Sequence, residues 1–434
     1  MRVVWGLVAL AVLIRVAIVV LDGQHVPGGD EPLFLQVART ILHGGGFSFE
    51  DPRYPCAWSP GMPTAARAPG PAYWLALWIG AFGENLLYPR LLVAVLSGAC
   101  TYLMFALGGM FHSPRAGLIA AFLWAFWPSA IGTWYGVTSV IGEPLALLLV
   151  VVALYGFVMG LRTGHWKWAV CAGAAIGLAS FFRPPVLTLL FFFALWLLRY
   201  QRTPRALRLL AVALVAQALV LLPWTVRNYV LLHGLVPIST YSATNFYISN
   251  NPLSVANKGA YNQTSPEFEP DAVEEMKQKS EIEVYRYCWA RGKAFISTHP
   301  KEFAYLVFRR MVLLFDPTID FPAFTSSNRR FFDGPYLFLA LLTLVGLPYL
   351  RKEPYFWLCL LIAVNFIYAH LLITTHPRYR QLAEPGLMLM AAPVLATMWN
   401  GGNKVRAVLA ITALLFIAIT LFAQELLPLV RAML

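Results

Sequence analysis

Charge is what this sequence has least of. Only 12% of its 434 residues are charged, about half the share of an ordinary soluble domain. With 59% hydrophobic residues and a mean hydropathy of +0.63, that scarcity excludes a soluble enzyme, a disordered chain and a nucleic-acid-binding module. Cysteine is scarce too, with five in the chain, and no Cys/His spacing reads as a zinc site. Cys100, Cys171 and Cys359 fall in apolar runs, where cysteine behaves as a small apolar residue. Cys56 and Cys288 fall in polar segments and either pair in an oxidising compartment or stay as free thiols. No internal repeat of the kind that marks many transporters is visible. Nor does a small-residue cleavage site follow the first apolar run, which ends Leu21-Asp22-Gly23-Gln24 and carries Arg15. That run is expected to be a retained span rather than a signal peptide.

What the chain does have is long apolar blocks. They run roughly over 3–21, 87–109, 115–133, 138–160, 166–182, 184–198, 207–225, 335–350, 355–373, 385–399 and 405–424. A helix needs about 20 apolar residues to cross a bilayer, so the expectation is a single all-α polytopic membrane domain over 1–434 with about 11 transmembrane helices. With a cytoplasmic N-terminus, the N-terminus and every second loop hold Arg2, Arg115, Arg162, Lys167, Arg199, Arg202, Arg205, Arg208, Arg351, Lys352, Lys404 and Arg406, against one acid, Glu353. The net charge of +12 is therefore almost wholly a positive-inside signal. Two large segments, 22–86 and 226–334, then lie outside and carry 17 of the 21 acids. A membrane chain that exports polar segments to one face is expected to do its chemistry there.

The first outer segment places Asp30 and Glu31 at the start of a helix-patterned stretch, Leu33 to His43. Acids favour a first helical turn for capping alone. A carboxylate near the bilayer is also a candidate general base, because partial desolvation makes it a better proton acceptor. A turn-rich stretch leads to Arg67 and to the apolar run 71–83 with Tyr73, which is too short to span and is expected to be a juxtamembrane or re-entrant helix. Glu143, before Pro144, opens the fourth span; it is either a helix cap or a functional acid. Arg183, Arg227 beside Asn228, and Arg378-Tyr379-Arg380 also fall at outer span ends. Arginine keeps its charge when desolvated and grips phosphate with a planar fork, although snorkelling accounts for any one of them. In the second outer segment, 271–297 reads as one amphipathic helix with Val273, Met276, Val284, Tyr287 and Cys288 on one face. Residues 303–315, broken by Arg309-Arg310, are expected at the interface.

Taken in order, these residues resemble the GT-C glycosyltransferases, specifically the bacterial members similar to dolichyl-phosphate-mannose protein mannosyltransferases and to the aminoarabinose transferase of lipid A. The matching elements are Gly29-Asp30-Glu31, the Pro-Gly-Pro-x-Tyr stretch at 69–73, Gly142-Glu143-Pro144-Leu145, Phe182-Arg183-Pro184, Pro223-Trp224 with Arg227-Asn228, Asn250-Asn251-Pro252, His299-Pro300 with Phe303, and Arg378-Tyr379-Arg380 with Pro385. The stretch at 69–71 departs from the usual paired prolines. The resemblance implies a GT-C-like helical bundle in the bacterial inner membrane. It implies transfer of a hexosyl or pentosyl unit, with inversion, from a polyprenyl-phosphate donor to an acceptor hydroxyl on a lipid, a polysaccharide or a protein, at the periplasmic face. Asp30 would be the catalytic carboxylate, with Glu31 and Glu143 beside it. Arg67, Tyr73, Arg183, Arg227, Asn228, Arg378, Tyr379 and Arg380 would bind substrate. Neither a cofactor nor a metal is expected. Two alternatives stand beside this reading: a lipid or solute transporter, and a ligase or polymerase that uses a diphosphate-linked donor.

Overall fold

The structure, a computed structural model, describes residues 1–23, 27–49, 61–132, 136–257, 268–315, 318–320, 330–332, 334–373, 375, 377–398, 411, 412 and 415. Among them, helices overlie each of the first ten apolar blocks. In chain order the helices begin with α1 (Arg2–Leu21), two short helices between the first two blocks, α2 (Glu31–Leu42) and α3 (Gly70–Phe82), then α4 (Leu87–Phe111), α5 (Pro114–Ala125), α6 (Pro128–Gly132), α7 (Glu143–Thr163), α8 (Trp166–Phe182), α9 (Leu189–Tyr200) and α10 (Pro204–Leu232). The polar segment after α10 folds as α11 (Tyr241–Ser249), α12 (Pro252–Ala256), α13 (Pro270–Lys277), α14 (Glu281–Thr298) and α15 (Pro300–Leu314). Two three-residue strands, Thr318–Asp320 and Arg330–Phe332, pair antiparallel. The chain returns to the bundle in α16 (Gly334–Leu350), α17 (Pro354–Leu372) and α18 (Glu384–Met398). Among the described residues, five helices, α1, α4, α7, α10 and α17, are each long and apolar enough to cross a membrane. The eleventh block, 405–424, falls almost wholly outside the described residues.

Proline punctuates the bundle. Pro114, Pro144, Pro204 and Pro354 sit in first helical turns, where the missing N–H is no loss. The hydroxyls of Ser113 and Thr203 cap α5 and α10 by accepting from the N–H of Ala116 (3.2 Å) and Ala206 (3.1 Å). Proline also corrects two expected boundaries. The block 115–133 breaks before Pro128 into α5 and α6, and 184–198 begins as a 3-10 turn over Pro184–Thr188. The span expected at 207–225 continues to Leu232 despite Pro223, so Arg227 and Asn228 are helical. The expected single helix 271–297 is two. Ser280 and Glu283 form a reciprocal capping box that starts α14 afresh.

The main core joins α4, α5, α7, α8, α9, α10, α16, α17 and α18, with Trp124, Phe157, Phe193, Trp196 and Phe366 buried in it. A second cluster, including Leu33, Phe47, Leu75, Val140 and Trp224, packs α2 and α3 onto one end of the bundle. A third holds α11, α13 and α14 together around Tyr247, Met276 and Cys288. Cys288 is a free thiol, and burial pushes its pKa up to about 12, so it is inert; Cys56 lies outside the described residues. α15, at 15 residues, is about 22 Å long and short of the ~30 Å hydrocarbon core. Its two arginines turn inward. Arg310 donates to the carbonyls of Ser249 and Leu371 and to Asn250 Oδ1.

Arg15 is a pin of the same kind. Fully buried in α1, it donates to the carbonyls of Trp124 (2.8 Å) and Ala125 (2.9 Å) and to Ser97 Oγ (3.0 Å). Those carbonyls belong to the last turn of α5, beyond the reach of the regular helix ladder, and that of Trp124 also accepts from the Trp127 N–H at 3.3 Å. The mid-span charge thus joins three helices.

Candidate functional site at one end of the bundle

Two glycines let the helix ends meet. Gly142 has φ +102°, and a Cβ there would lie 2.5 Å from the Phe182 ring, so the start of α7 closes on the end of α8. At Gly70 a Cβ would lie 2.7 Å from the backbone oxygen of Phe181, so α3 starts against the same end. The loop 136–142, the segment before α3 and the 3-10 turn Pro377–Ala383 converge here.

Three predicted carboxylates occupy different environments. Asp30 precedes α2 at its N-cap position, but its side chain makes no capping bond. Its Oδ1 lies 3.5 Å from the Arg67 guanidinium, and its side chain is 39% exposed. Glu31, one residue on, is buried. It accepts hydrogen bonds from the N–H of Gly28 (3.0 Å) and of Val140 (3.0 Å) and from Ser139 Oγ (3.1 Å), which ties the entry of α2 to the loop before α7. Glu143, the first residue of α7 and also buried, is ion-paired with Arg183 at the end of α8.

The arginines separate in the same way. The Arg67 guanidinium lies over the Tyr241 ring, 3.8 Å from its centroid. Arg183 lies 5.5 Å from the centroid of Tyr379, which also stacks with His370 at 4.2 Å. Arg227 donates to the carbonyls of Thr64 (2.7 Å) and Phe47 (3.0 Å) and to Asn228 Oδ1 (3.0 Å). Asn228 is fully buried and donates to the carbonyl of Val236 (2.8 Å). Arg380 is buried, with its guanidinium 3.8 Å from the Tyr336 ring centroid and 3.6 Å from Glu384. Arg378 lies in the same 3-10 turn, its side chain outside the described ones. Tyr73 is half-exposed on α3, edge-on to Trp224 at 6.2 Å.

The arrangement thus brings together Asp30 with Arg67, and Glu143 with Arg183 and Tyr379. It leaves Arg227 bonded to the carbonyls of Phe47 and Thr64, and Asn228 to that of Val236. Four contributors were not among the candidate site residues of the sequence. Tyr241 lies under the Arg67 guanidinium, and His370 stacks on Tyr379. Glu281 accepts from Thr64 Oγ1 (2.8 Å), the Ala65 N–H (3.0 Å) and Thr240 Oγ1 (2.6 Å), so it clamps the two polar segments together. Glu384 opens α18 before Pro385, the same acid-proline pattern as Glu143-Pro144, and that pattern was the available signal. Among the described residues no group of three or more His, Cys, Asp or Glu is placed to hold a metal ion.

No family model matches the sequence, and no curated protein does. Solved structures do match. The oligosaccharyltransferase of Archaeoglobus fulgidus in its apo form overlays with a TM-score of 0.55 at 15% identity, over 96% of this chain and 54% of that one. The same protein tethered to an acceptor peptide gives 0.53 at 16% identity, over 96% and 53%. Its complex with an inhibitory peptide and a dolichol-phosphate gives 0.50 at 16% identity, over 94% and 54%. The chain spans about half the length of these structures. The likeness shows that this chain shares the fold of the matched half of that oligosaccharyltransferase.

Proposed function

We propose that the chain is an integral-membrane glycosyltransferase that moves a hexosyl or pentosyl unit from a polyprenyl-phosphate donor to an acceptor hydroxyl. It would work at the periplasmic face of a bacterial inner membrane, with the acceptor a lipid, a polysaccharide or a protein. The observation that carries this reading is the Asp30–Arg67 pair at the bundle end, 3.5 Å apart, on a GT-C fold. Of the three predicted carboxylates, Asp30 alone combines partial exposure with a free cap position. In the proposed reaction the acceptor oxygen attacks the anomeric carbon. The bond from that carbon to the phosphate oxygen breaks, the acceptor proton passes to the Asp30 carboxylate, and polyprenyl phosphate leaves with the bonding pair. The sugar is thereby inverted.

Arg67 and Arg183 are the arginines we assign to the leaving phosphate, since a preorganised cation in a dry site stabilises charge that develops in the transition state. Arg227 is held by two backbone carbonyls and Arg380 is buried against Glu384 and Tyr336, which suits both to bracing. Each proposed phosphate ligand rests against a carboxylate and over an aromatic ring, a setting that keeps a guanidinium in place before its ligand arrives.

The test compares glycolipids and glycans by mass spectrometry in cells lacking the gene and in cells given it back. The expected result is loss of a single-sugar mass increment that wild type restores and Asp30→Asn does not. The in vitro rate of Asp30→Asn should fall about 10²–10⁴-fold, the usual contribution of a general base. An unchanged glycan profile in the deletion strain would sink the transferase reading and favour a transporter. Full restoration by Asp30→Asn would remove Asp30 from the chemistry.

A further inference from the structure

A buried polar cluster lies just behind the site. Glu384, 2% exposed, accepts from the Trp127 indole N–H (2.6 Å) and from Ser129 Oγ. Its other oxygen faces Arg380, 3.6 Å away, which is 4% exposed and packs on the Tyr336 ring. A carboxylate and a guanidinium taken so far from water are tolerated only when each is well partnered. Here the partners come from three elements: the α5–α6 junction, α16 and the 3-10 turn before α18. The cluster therefore fixes that turn against the bundle.

The turn has two sides. Arg380 faces the anchor. Its neighbour Tyr379 faces the site, between His370 at 4.2 Å and Arg183 at 5.5 Å. A side chain locked to Glu384 and one that backs a proposed phosphate ligand thus stand on adjacent residues. A shift of the turn moves both, because adjacent residues of a 3-10 turn share its backbone.

We infer that Glu384 is a positioning residue: through Arg380 it fixes the turn that sets Tyr379 against Arg183, and so sets where the Arg183 guanidinium meets the donor phosphate. This rests on the glycosyltransferase reading above. Glu384 itself takes no part in bond making. Its substitution by glutamine keeps an acceptor for Trp127 and Ser129 but removes the countercharge of Arg380.

The test measures binding of undecaprenyl phosphate to the purified full chain, together with the melting temperature. Glu384→Gln is expected to weaken binding about tenfold, a loss typical of coupling between residues in one network, with the melting temperature held within a few degrees. Tyr379→Leu, which leaves the buried pair intact, is expected to do the same. In an Arg183→Ala background neither change should weaken binding further, because both act through Arg183. Multiplying losses in the double variants, or wild-type binding by Tyr379→Leu, would overturn the inference. If Glu384→Gln fails to fold, Glu384→Asp, which keeps the countercharge but sets it back from Arg380 by one methylene, takes its place in the same cycle. Failure of the underlying reading looks different. The wild-type chain itself would then neither bind undecaprenyl phosphate nor change the glycan profile, and the inference would fall with it.

Discussion

Asp30 and Glu31 are adjacent acids with opposite fates. One backbone step turns Asp30 toward Arg67 and water, and turns Glu31 inward onto three donors. The consequence is measurable. Glu31→Ala strands the Val140 and Gly28 N–H groups and the Ser139 hydroxyl, at about 1–3 kcal/mol for each group left unmet when buried. Its thermal melt in detergent should therefore fall by several degrees or more. Asp30→Asn should melt like wild type and lose turnover. If Asp30→Asn melted lower and Glu31→Ala did not, the two roles would have to be exchanged. Arg15 teaches the same lesson from inside the membrane. An intramembrane charge is a functional candidate by default, yet its guanidinium is taken up by the last carbonyls of α5 and by Ser97.

Helix ends, rather than helix faces, build the site. The close approach of α3 to α8 depends on Gly70, where an added Cβ would press on the backbone of Phe181. Gly70→Ala should force the two helices apart and lower kcat/KM by up to about 10²-fold, as small misplacements at active sites do. Gly80→Ala on the same helix meets only the tip of Leu42 and should leave kinetics unchanged. Equal losses from both would assign the effect to α3 itself. The α2–α3 pair also carries a tie outside the bundle. The Arg39 guanidinium holds the Glu84 carboxyl below the usual carboxylate range by hydrogen bonding and charge. A depressed folded pKa stabilises above the unfolded pKa and is lost as pH falls through the folded one. The pair is solvent-exposed, so the contribution is below about 1 kcal/mol. Glu84→Gln should flatten that much of the acid limb of a stability–pH curve and no more.

For the whole molecule, the turns at 112–113, 164–165, 201–203 and 351–353 share one end of the bundle. Phe111 stacks on Tyr355 at 4.5 Å, the Trp196 indole donates to the carbonyl of Pro354 at 2.7 Å, and Gly164 lies against Arg205. Among the described residues, these four basic loops therefore cluster opposite the proposed site. If that end is cytoplasmic, an impermeant maleimide will label Arg286→Cys in intact cells and Lys352→Cys only after lysis. The reverse pattern would put the chemistry on the cytoplasmic face.

The apolar blocks, the proline-marked helix starts and the clustering of basic residues in alternate loops were legible in the sequence. Each follows from a local or one-dimensional rule: the length needed to cross a bilayer, the missing N–H of proline, the sidedness of charge. So was the set of ionisable residues at span ends, Asp30, Glu143, Arg67 and Arg183 among them, because charge in such a chain stands out. The tertiary structure decided how they sort. Asp30 faces Arg67 while Glu31 is enclosed, Arg227 is bound to the carbonyls of Thr64 and Phe47, and Glu384 with Arg380 forms a buried anchor. Those pairings join residues as far apart as Trp127 and Glu384. A carboxylate's partner is fixed by whichever donors folding brings within about 3 Å in a dry interior, and no local pattern in the chain records that distance.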